Sequence, residues 1–457
     1  MSIRRILIAN RGEIAIRIIR TCRELGIETV LAASDADRDS LPARLADRTI
    51  CIGPARPADS YLKVETIVQA ALGARVDAIH PGYGFLSERP ELARLCARHG
   101  VAFIGPTAAQ IEAVADKLQA RSAAQAAGIP VVPGAAVDSI DSAVSVARRI
   151  GSPLLVKAVG GGGGRGMKRV EGLAELPHAM ALAASEAGAA FGDARVYLER
   201  FVTGGRHIEV QVLGDGAGRV IHLGERDCSV QRRYQKLVEE APAPGLSEPL
   251  RQRLQESAVR FAERLSYRGA GTVEFLLDEQ NAFYFLEMNA RIQVEHPVTE
   301  AVTGVDLVAE QIAIAGGAGL RLGQSDIHRR GCAIECRVNA EDPSRDFCPS
   351  PGLVTDVSWP TGPGIRVDTH IAAGSHVSPY YDSLMAKVIA HGPDRPTALQ
   401  RMQEAIAATR VTGVTTNLPF HALVLGEPRF RAGAVDTEFV TQLLGVSAVR
   451  VESATRG

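Results

Sequence analysis

The chain has 457 residues, with 51 basic and 52 acidic side chains and a formal net charge of −1. The length predicts about three domains at ~150 residues each, and the hydrophobic fraction of 46% is typical of a globular protein. The near-neutral charge argues against nucleic acid as a partner, because no positive field attracts phosphates. The apolar runs are too short to cross a bilayer, so no membrane association is expected. An odd number of cysteines, seven, predicts a reducing, cytoplasmic location.

The basic residues are unevenly divided, since six are Lys and the other 45 are Arg. A nucleotide bias toward Arg codons explains the excess. In such a background, a retained Lys can mark a site that needs a compact ammonium on a flexible stem instead of a planar fork. The six are Lys63, Lys117, Lys157, Lys168, Lys236 and Lys387.

The first hundred residues alternate apolar runs with helical periodicity. Strands are predicted at 6–9, 29–33, 76–79 and 101–104, and a helix at 13–25. This rhythm predicts a parallel sheet with binding loops at the strand ends. The first turn, at 10–13, lacks the glycine spacing of a dinucleotide fingerprint. Arg17, Arg20 and Glu24 share one face of the helix, which is typical of a solvated surface.

The middle and the end of the chain change character. One helix is predicted across Ala115-Asp116-Lys117, and the Gly and Pro residues at 128–134 indicate a domain boundary. Strands are then predicted at 153–158, 167–170, 208–213, 272–277 and 283–288, and a helix at 397–408. The pattern as a whole predicts a mixed α/β fold class.

A run of glycines at 160–164, followed by Arg165-Gly166, lies between two predicted strands. The run alone is equally typical of a flexible linker. The flanking strands make it the tip of a hairpin, with Lys157 beside it. Glycine lets backbone N–H groups close over phosphate oxygens, and a Lys neutralises their charge. These features favour a mobile flap that covers phosphates.

Two glutamates lie on the apolar runs 272–277 and 283–288. A turn centred on Gln280-Asn281 places Glu274 directly opposite Glu287, with Cβ atoms ~5 Å apart. Facing carboxylates repel unless a cation lies between them, and oxygen ligands suit Mg²⁺. The alternative is a pair of solvated side chains on an exposed sheet face.

From Glu287 to Glu295 every second residue is polar. An extended chain would place Glu287, Asn289, Arg291, Gln293 and Glu295 on one face. A solvent-facing strand alternates in the same way, but this mixture favours a site. Carboxylates beside Asn suit a metal, Arg suits a planar oxyanion, and a further Glu suits a base. The basic segment 226–236 is expected to be a loop, either solvated or forming an anion-binding wall.

Five motifs, in chain order over about residues 3–445, resemble biotin carboxylases, which are ATP-grasp enzymes. They are NRGEIA at 10–15, HPGYGFLSE at 80–88, the glycine run, RDCS at 226–229 and EMNARIQVEH at 287–296. The resemblance implies a three-domain α/β ATP-grasp fold. Its implied parts are a Rossmann-like N-terminal domain (1–114), a helical linker (115–131), a lid with the glycine run (132–201) and a C-terminal ATP-grasp domain (202–447).

The resemblance implies a nucleotide site. Its residues would be Lys117, Lys157, Gly163, Gly164, Glu199, His207 and Gln231. Of these, Lys117, Lys157 and His207 would lie at the ATP phosphates, Glu199 at adenine, and the two glycines in the flap. Tyr234 departs from the family pattern, in which many members have His.

The resemblance also implies metal and substrate sites. Glu274 and Glu287, with Asn289 nearby, would hold Mg²⁺ or Mn²⁺. Bicarbonate would contact Lys236, Arg291, Gln293 and the backbone of Val294. Glu295 would deprotonate the bicarbonate, which would react with ATP to give carboxyphosphate. Arg337 would stabilise the enolate of biotin, with Tyr83 nearby.

The partners implied by the resemblance are a biotin carboxyl carrier protein and carboxyltransferase subunits. A separate carrier is expected because none of the six Lys lies in a Met-Lys-Met context and the chain after Gly445 is short. A homodimer is expected, and the downstream acceptor is an acyl-CoA, with acetyl-CoA carboxylase as the expected case. Two alternatives remain: an ATP-grasp ligase that joins a carboxylate to an amine, and a nucleotide-binding regulator without catalysis.

Overall fold

The computed structural model describes residues 3–160 and 166–445. The N-terminal part forms a five-stranded parallel sheet. Its strands, in spatial order, are Arg48–Cys51, Glu28–Ala33, Arg5–Ile8, Ala78–His80 and Ala102–Phe103. The strands predicted in this part are therefore confirmed to within two residues. The helices here are Gly12–Glu24, Leu41–Leu45, Val64–Ala74, Pro90–Arg98, Ala108–Ala115 and Lys117–Ala126.

The prediction of one helix across Ala115-Asp116-Lys117 is wrong. Asp116 has extended backbone, and its carboxylate accepts hydrogen bonds from the backbone N–H groups of Leu118 and Gln119. A side-chain acceptor at this position satisfies the free N–H groups at the start of a helix. The chain therefore begins a new helix at Lys117.

The second sheet has four antiparallel strands. In spatial order they are Gly134–Val137, Val196–Arg200, Leu154–Ala158 and Met167–Val170, with the helices Ile140–Ile150 and Leu176–Phe191 packed on them. Lys157 pairs with Met167 across the two strands that flank the glycine run. These two strands are therefore the arms of the predicted hairpin.

The third sheet has eight antiparallel strands. In spatial order they are Phe283–Asn289, Arg268–Leu277, Arg206–Asp215, Val220–Arg232, Gln235–Ala241, Cys332–Asn339, Leu384–Gly392 and Ile365–Thr369. Short strand pairs join Glu341–Asp342 to Cys348–Pro349, Gly352–Leu353 to His376–Val377, and Asp356–Ser358 to Arg410–Thr412. The helices are Glu248–Arg264, His296–Thr303, Leu307–Ala315, Arg395–Ala408, Leu418–Gly426 and Pro428–Arg431.

The parallel sheet is packed against the eight-stranded sheet through apolar residues on both of its faces. One core cluster joins Leu7 and Ile79 to Phe275 of the larger sheet, and a second joins Ile6 to Ile292. Burial of this apolar surface is the main stabilising contribution to such an interface. It fixes the loops of the parallel sheet relative to the segment that follows Asn289. In the described ranges, no helix combines the length and the apolar character that crossing a bilayer requires.

The expected loop at 226–236 is wrong. The segment belongs to the strands Val220–Arg232 and Gln235–Ala241, joined by a turn in which Arg233 and Tyr234 have φ of 48° and 64°. Tyr234 is 42% exposed at this turn. Arg226 is fully buried and donates hydrogen bonds to Glu209, Gln211, Thr272 and Thr299. Partners on the adjacent strand, on the strand beyond it and on the helix His296–Thr303 let the charge of Arg226 enter a buried sheet.

The hairpin that carries the two predicted glutamates has the expected pairing, since Glu274 lies opposite Glu287. The turn itself differs from the prediction, because Leu277 pairs with Phe283 one residue out of that register. A bulge between the Glu274 and Phe275 pairs absorbs the difference. A bulge adds one residue to one strand, and this shift lets Glu274 and Glu287 pair directly although the turn is in a different register.

The expectation that Arg17 is solvated is also wrong. Arg17 is 3% exposed, and its Nη2 donates to Glu300 Oε1 at 2.7 Å and to Asp306 Oδ1 at 2.8 Å. The ion pairs connect the first helix to the segment around the helix His296–Thr303. Arg20 on the same helix is 44% exposed and lies 3.5 Å from Asp368.

We expect Arg17→Ala to lower the free energy of unfolding by about 1–3 kcal/mol, because buried Glu300 loses one of its two cations and keeps only the pair with Arg366. Arg20→Ala is the matched control and should cost less than about 1 kcal/mol, as exposed pairs contribute little. Chemical denaturation of both variants measures the difference. Equal, small losses for the two variants would contradict the role of Arg17.

Candidate active site

The centre of the candidate site is the ammonium of Lys236. Its Nζ donates to Glu209 Oε2 at 2.6 Å, Glu295 Oε1 at 2.7 Å and Glu274 Oε1 at 3.0 Å. The three carboxylates come from two strands of the eight-stranded sheet and from the segment after a third, and all three are buried. Burial by itself would lower the pKa of the Lys236 ammonium, but the carboxylates around it raise that pKa well above its usual value. Lys236 is therefore a permanent cation in this cluster.

Glu274 gathers further donors. It accepts from His207 Nε2 at 2.8 Å, Asn289 Nδ2 at 2.8 Å and Gln293 Nε2 at 3.1 Å. Burial would raise the pKa of the Glu274 carboxyl, but Lys236 and His207 together hold it below its usual range. His207 is correspondingly favoured as a cation, because Glu274 raises its pKa against the effect of burial.

The polar run after Glu287 is extended only as far as Asn289, where the strand ends, so the continuous strand to Glu295 is not formed. Its polar side chains converge nonetheless, through Arg291. The guanidinium of Arg291 donates to Gln293 Oε1 at 2.6 Å, Asn289 Oδ1 at 3.0 Å and Glu88 Oε2 at 2.9 Å. After the strand ends at Asn289, these hydrogen bonds of Arg291 hold the polar side chains close together.

Glu295 lies between two cations. Lys236 donates to one of its oxygens, and Arg337 Nη2 donates to the other at 2.8 Å. Burial would raise the pKa of Glu295, but Lys236, Arg337 and Arg226 outweigh it and hold the pKa well below its usual range. Glu295 is therefore an ionised carboxylate in the folded protein. Arg337 is anchored in turn by Glu239, whose Oε1 lies 2.6 Å from Arg337 Nε.

A cleft of about 360 Å³ opens beside this cluster. Tyr83, Lys236, Val294 and Arg337 are among the residues that line it. Tyr83 reaches it from the turn after the strand Ala78–His80 and donates its hydroxyl to Glu13. Four of the residues predicted to bind bicarbonate or biotin thus line one cleft, to which both the parallel sheet and the eight-stranded sheet contribute.

The predicted nucleotide residues that the structure describes do not line this cleft. Lys157 is buried, with its Nζ 3.0 Å from Glu199 Oε2, and Arg121 contacts the same carboxylate. Lys117 Nζ lies 3.5 Å from Glu287 Oε2. Gln231 is buried, and its amide donates to Cys228 O at 3.5 Å. Gly163 and Gly164 lie outside the described residues.

The side-chain oxygens of Glu274, Glu287 and Asn289 are suitable ligands for a hard divalent cation. Glu274 and Glu287 are direct cross-strand partners, and Asn289 is next along the same face, already bonded to Glu274. Glu287 is partly exposed, with Lys117 as its ion-pair partner at 3.5 Å. Carboxylate and amide oxygens are ligands that Mg²⁺ prefers. A further group, His207, Glu209 and Glu274, has ligand atoms within 4.8 Å of one another.

Several carboxylates of the site were missed by sequence reasoning. Glu209 and Glu239 lie inside apolar stretches of strands, and both are fully buried. An acidic residue in an otherwise apolar strand is itself a signal, because Glu is seldom buried unless paired. Glu88 was inside a recognised motif, but nothing local indicated that it would hold Arg291.

Three family models match the chain in order. They are the biotin carboxylase N-terminal domain over residues 2–111, the carbamoyl-phosphate synthase L chain ATP binding domain over 116–323, and the biotin carboxylase C-terminal domain over 335–442. The models at both ends of the chain therefore describe biotin carboxylases. The central model describes an ATP binding domain.

Full-length relatives agree with the family models. The chain is 51% identical to a biotin carboxylase of Nostoc sp. over 97% of this chain and 100% of the relative. It is similar to the biotin carboxylase–beta-gamma-ATP complex from Campylobacter jejuni, with a TM-score of 0.94, 45% identity and coverage of 96% and 99% of the two chains.

A second solved structure is the biotin carboxylase domain dimer of 2-oxoglutarate carboxylase from Hydrogenobacter thermophilus, with MgADP, ADP and bicarbonate. Its TM-score is 0.94 at 44% identity, with coverage of 97% and 99% of the two chains. These likenesses confirm the predicted α/β ATP-grasp fold class.

The Glu239–Arg337 pair gives the protein a specific pH dependence. Burial raises the pKa of Glu239 to about 7 although Arg337 opposes this, whereas in the unfolded chain the group titrates near ~4.3. Between these values the folded state binds the extra proton, so this contribution to stability is lost as the pH rises toward 7. We expect the free energy of unfolding of the parent protein to fall relative to that of Glu239→Gln over this interval.

Chemical denaturation at a series of pH values measures this difference. Glu263→Gln, on an exposed part of a helix, is the control and should follow the parent protein throughout. A difference between parent and Glu239→Gln that does not vary with pH would show that Glu239 does not titrate in this interval.

Proposed function

The chain belongs to the biotin carboxylase family and is a ligase that carboxylates biotin with ATP; on this premise we propose that its substrate is biotin held by a separate carrier protein. The reaction would be the first half-reaction of an acyl-CoA carboxylase, with acetyl-CoA carboxylase as the expected system. The observation that carries the proposal is the ionised Glu295, fixed between Lys236 and Arg337 at a cleft that Tyr83 also lines.

The first step activates bicarbonate. Lys236, Arg291, Gln293 and the backbone N–H of Val294 would hold the anion, and Glu295 would take its proton. The deprotonated oxygen attacks the γ-phosphorus of ATP, ADP leaves, and carboxyphosphate forms. Holding both reactants in one geometry supplies much of the acceleration, because it removes the entropy cost of their encounter.

The nucleotide would be held by residues that do not line the cleft. Lys117, Lys157 and His207 would face the phosphates, Glu199 the adenine, and Gln231 would complete the pocket. Glu274, Glu287 and Asn289 would hold Mg²⁺, which neutralises phosphate charge when it is bound. The glycine run with Gly163 and Gly164 would cover the phosphates and exclude water, because carboxyphosphate hydrolyses readily.

The second step transfers the carboxyl group. Carboxyphosphate would break down to CO₂ and phosphate, and the phosphate would take the N1′ proton of biotin. N1′ then attacks the carbon of CO₂, which gives N1′-carboxybiotin. Arg337 would donate to the ureido oxygen of biotin and stabilise the negative charge that develops there. Tyr83 would lie beside the same ring.

The proposed partners are a biotin carboxyl carrier protein, carboxyltransferase subunits and a second copy of the chain. The Hydrogenobacter thermophilus structure is of a dimer, which supports a homodimer. We also propose a cytoplasmic location, since all seven cysteines are free thiols. Because a 2-oxoglutarate carboxylase is among the relatives, the acceptor is decided by the transferase that accompanies the chain.

The assay that tests the proposal measures ADP formation with Mg·ATP and bicarbonate, with and without free biotin. Stimulation by biotin, and incorporation of labelled bicarbonate into it, are expected. ADP formation that requires an amine substrate would favour the carboxylate–amine ligase, and no ADP formation would favour the nucleotide-binding regulator. Co-purification of the transferase, followed by assay with acetyl-CoA and with 2-oxoglutarate, tests the acceptor.

We expect Glu295→Gln to lower biotin carboxylation by about 10²–10⁴-fold, the usual contribution of a general base. The affinity for Mg·ATP should stay within about twofold of the parent value, because Glu295 is not among the residues proposed to hold the nucleotide or the metal. Carboxylation kinetics and nucleotide titration provide the two readouts. Retained turnover in Glu295→Gln would remove Glu295 as the base.

A further inference from the structure

We propose that Lys387 is a positioning residue, whose ammonium fixes the peptide between Val294 and Glu295. Lys387 lies in the strand Leu384–Gly392 and is 0% exposed. Its Nζ donates to the carbonyl oxygen of Val294 at 2.8 Å. The inference rests on the proposed function, in which Val294 contacts bicarbonate and Glu295 is the base.

The environment of Lys387 connects the two large sheets. In the eight-stranded sheet, Lys387 is flanked by Arg337 on one neighbouring strand and Asp368 on the other. Its close counter-ion is Glu13, whose Oε1 lies 3.0 Å from Nζ and which comes from the first helix of the N-terminal part. Glu13 also accepts a hydrogen bond from the hydroxyl of Tyr83. Tyr83, Glu13, Lys387 and Val294 thus form one continuous chain of contacts.

These contacts connect a residue proposed to lie beside biotin with a residue proposed to contact bicarbonate. Tyr83 lines the cleft where biotin would bind, and Val294 lines the same cleft beside Lys236. A shift of Lys387 would therefore move both the carbonyl before Glu295 and the carboxylate that holds Tyr83. Reacting groups must be held within fractions of an ångström for full rate, so the ammonium has a direct influence on the geometry.

His296 fixes the peptide on the other side of Val294. Its Nδ1 lies 2.7 Å from the carbonyl oxygen of Gln293. Burial, with Lys387 and Arg17 nearby, holds the pKa of His296 well below its usual value, so the ring is neutral and donates its Nδ1–H. Because the C=O and N–H of a trans peptide point in opposite directions, this bond turns the Val294 N–H away from His296. Both peptides that flank Val294 are thus held by buried side-chain donors.

The choice of Lys at this position follows from the space around it. The ammonium serves a carbonyl and a carboxylate from different elements within a fully buried site. A compact, rotatable donor suits two partners in different directions, whereas a guanidinium is a rigid planar fork. Stability alone does not require the ion pair, because buried pairs are often replaced by apolar residues without loss. The bond to the loop that carries Glu295 is the feature that an apolar side chain cannot supply.

The test compares Lys387→Met with Lys63→Met, whose side chain is 50% exposed near Asp59. We expect Lys387→Met to raise the KM for bicarbonate and to lower kcat, with a combined loss of about 10²-fold in kcat/KM, the scale of an ångström-sized misplacement. The dissociation constant for Mg·ATP should stay unchanged. Lys63→Met should match the parent protein in every readout.

A second variant separates positioning from folding. Glu13→Gln/Lys387→Met removes both members of this ion pair and retains an acceptor for Tyr83, so its unfolding midpoint should return toward that of the parent. Its bicarbonate defect should persist, because the donor to Val294 is still absent. If Lys387→Met does not fold, the double variant alone carries the kinetic comparison.

Two results would overturn the positioning role. One is a folded Lys387→Met, or double variant, with parental kcat and KM for bicarbonate. The other is recovery of activity together with stability in the double variant, which would show that Lys387 acts only on the fold. A parent protein that fails to carboxylate biotin would instead overturn the proposed function, and the role of Lys387 would fall with it.

Discussion

The structure of the site depends on one constraint, the burial of several carboxylates around the ammonium of Lys236. Glu209, Glu274 and Glu295 all accept a hydrogen bond from this ammonium, and all three side chains are buried. Ionised groups are stable there only when cations are close and hydrogen-bonded. Lys236 touches all three, and Arg226, His207 and Arg337 each bond one of them. The cations therefore keep Glu274 and Glu295 ionised, since the pKa of both carboxyls is held below its usual range.

This constraint also explains the architecture around the site. The cations and the carboxylates come from strands of one antiparallel sheet and from the segment after Asn289, so each pair joins positions far apart in the chain. The hydrogen bond from Lys387 and its ion pair with Glu13 extend the same principle to the parallel sheet. The charges of the site therefore hold the loops in place, while the apolar clusters hold the sheets together.

Local pattern predicted the strands of the parallel sheet and the facing glutamates of the hairpin, whereas the ATP-grasp fold and the role of Lys236 came from the resemblance to biotin carboxylases. A period of two in the hairpin was enough to place Glu274 opposite Glu287, even though a bulge corrects a turn of different length. Predictions from local pattern were wrong where a buried charge is paired with a residue distant in sequence. Arg17 was expected to be solvated and Arg226 to lie in a loop, because Glu300 and Glu209, which neutralise them, are not adjacent to them in sequence. Pairing between remote segments is a property of the folded chain, and periodicity within a window carries no information about it.

The scarcity of Lys is informative in the same way. Lys117, Lys157, Lys236 and Lys387 all lie against carboxylates of the interior or the cleft, whereas Lys63 and Lys168 pair at the surface. In the structure, Glu295 accepts hydrogen bonds from both Lys236 and Arg337. If Glu295 takes the proton of bicarbonate, its charge disappears, and its attraction for both cations falls at the same moment. Lys236 keeps Glu209 and Glu274, but Arg337 keeps only Glu239. In the proposed reaction, proton transfer in the first step would therefore weaken the hold of Glu295 on Arg337 before negative charge develops on biotin in the second.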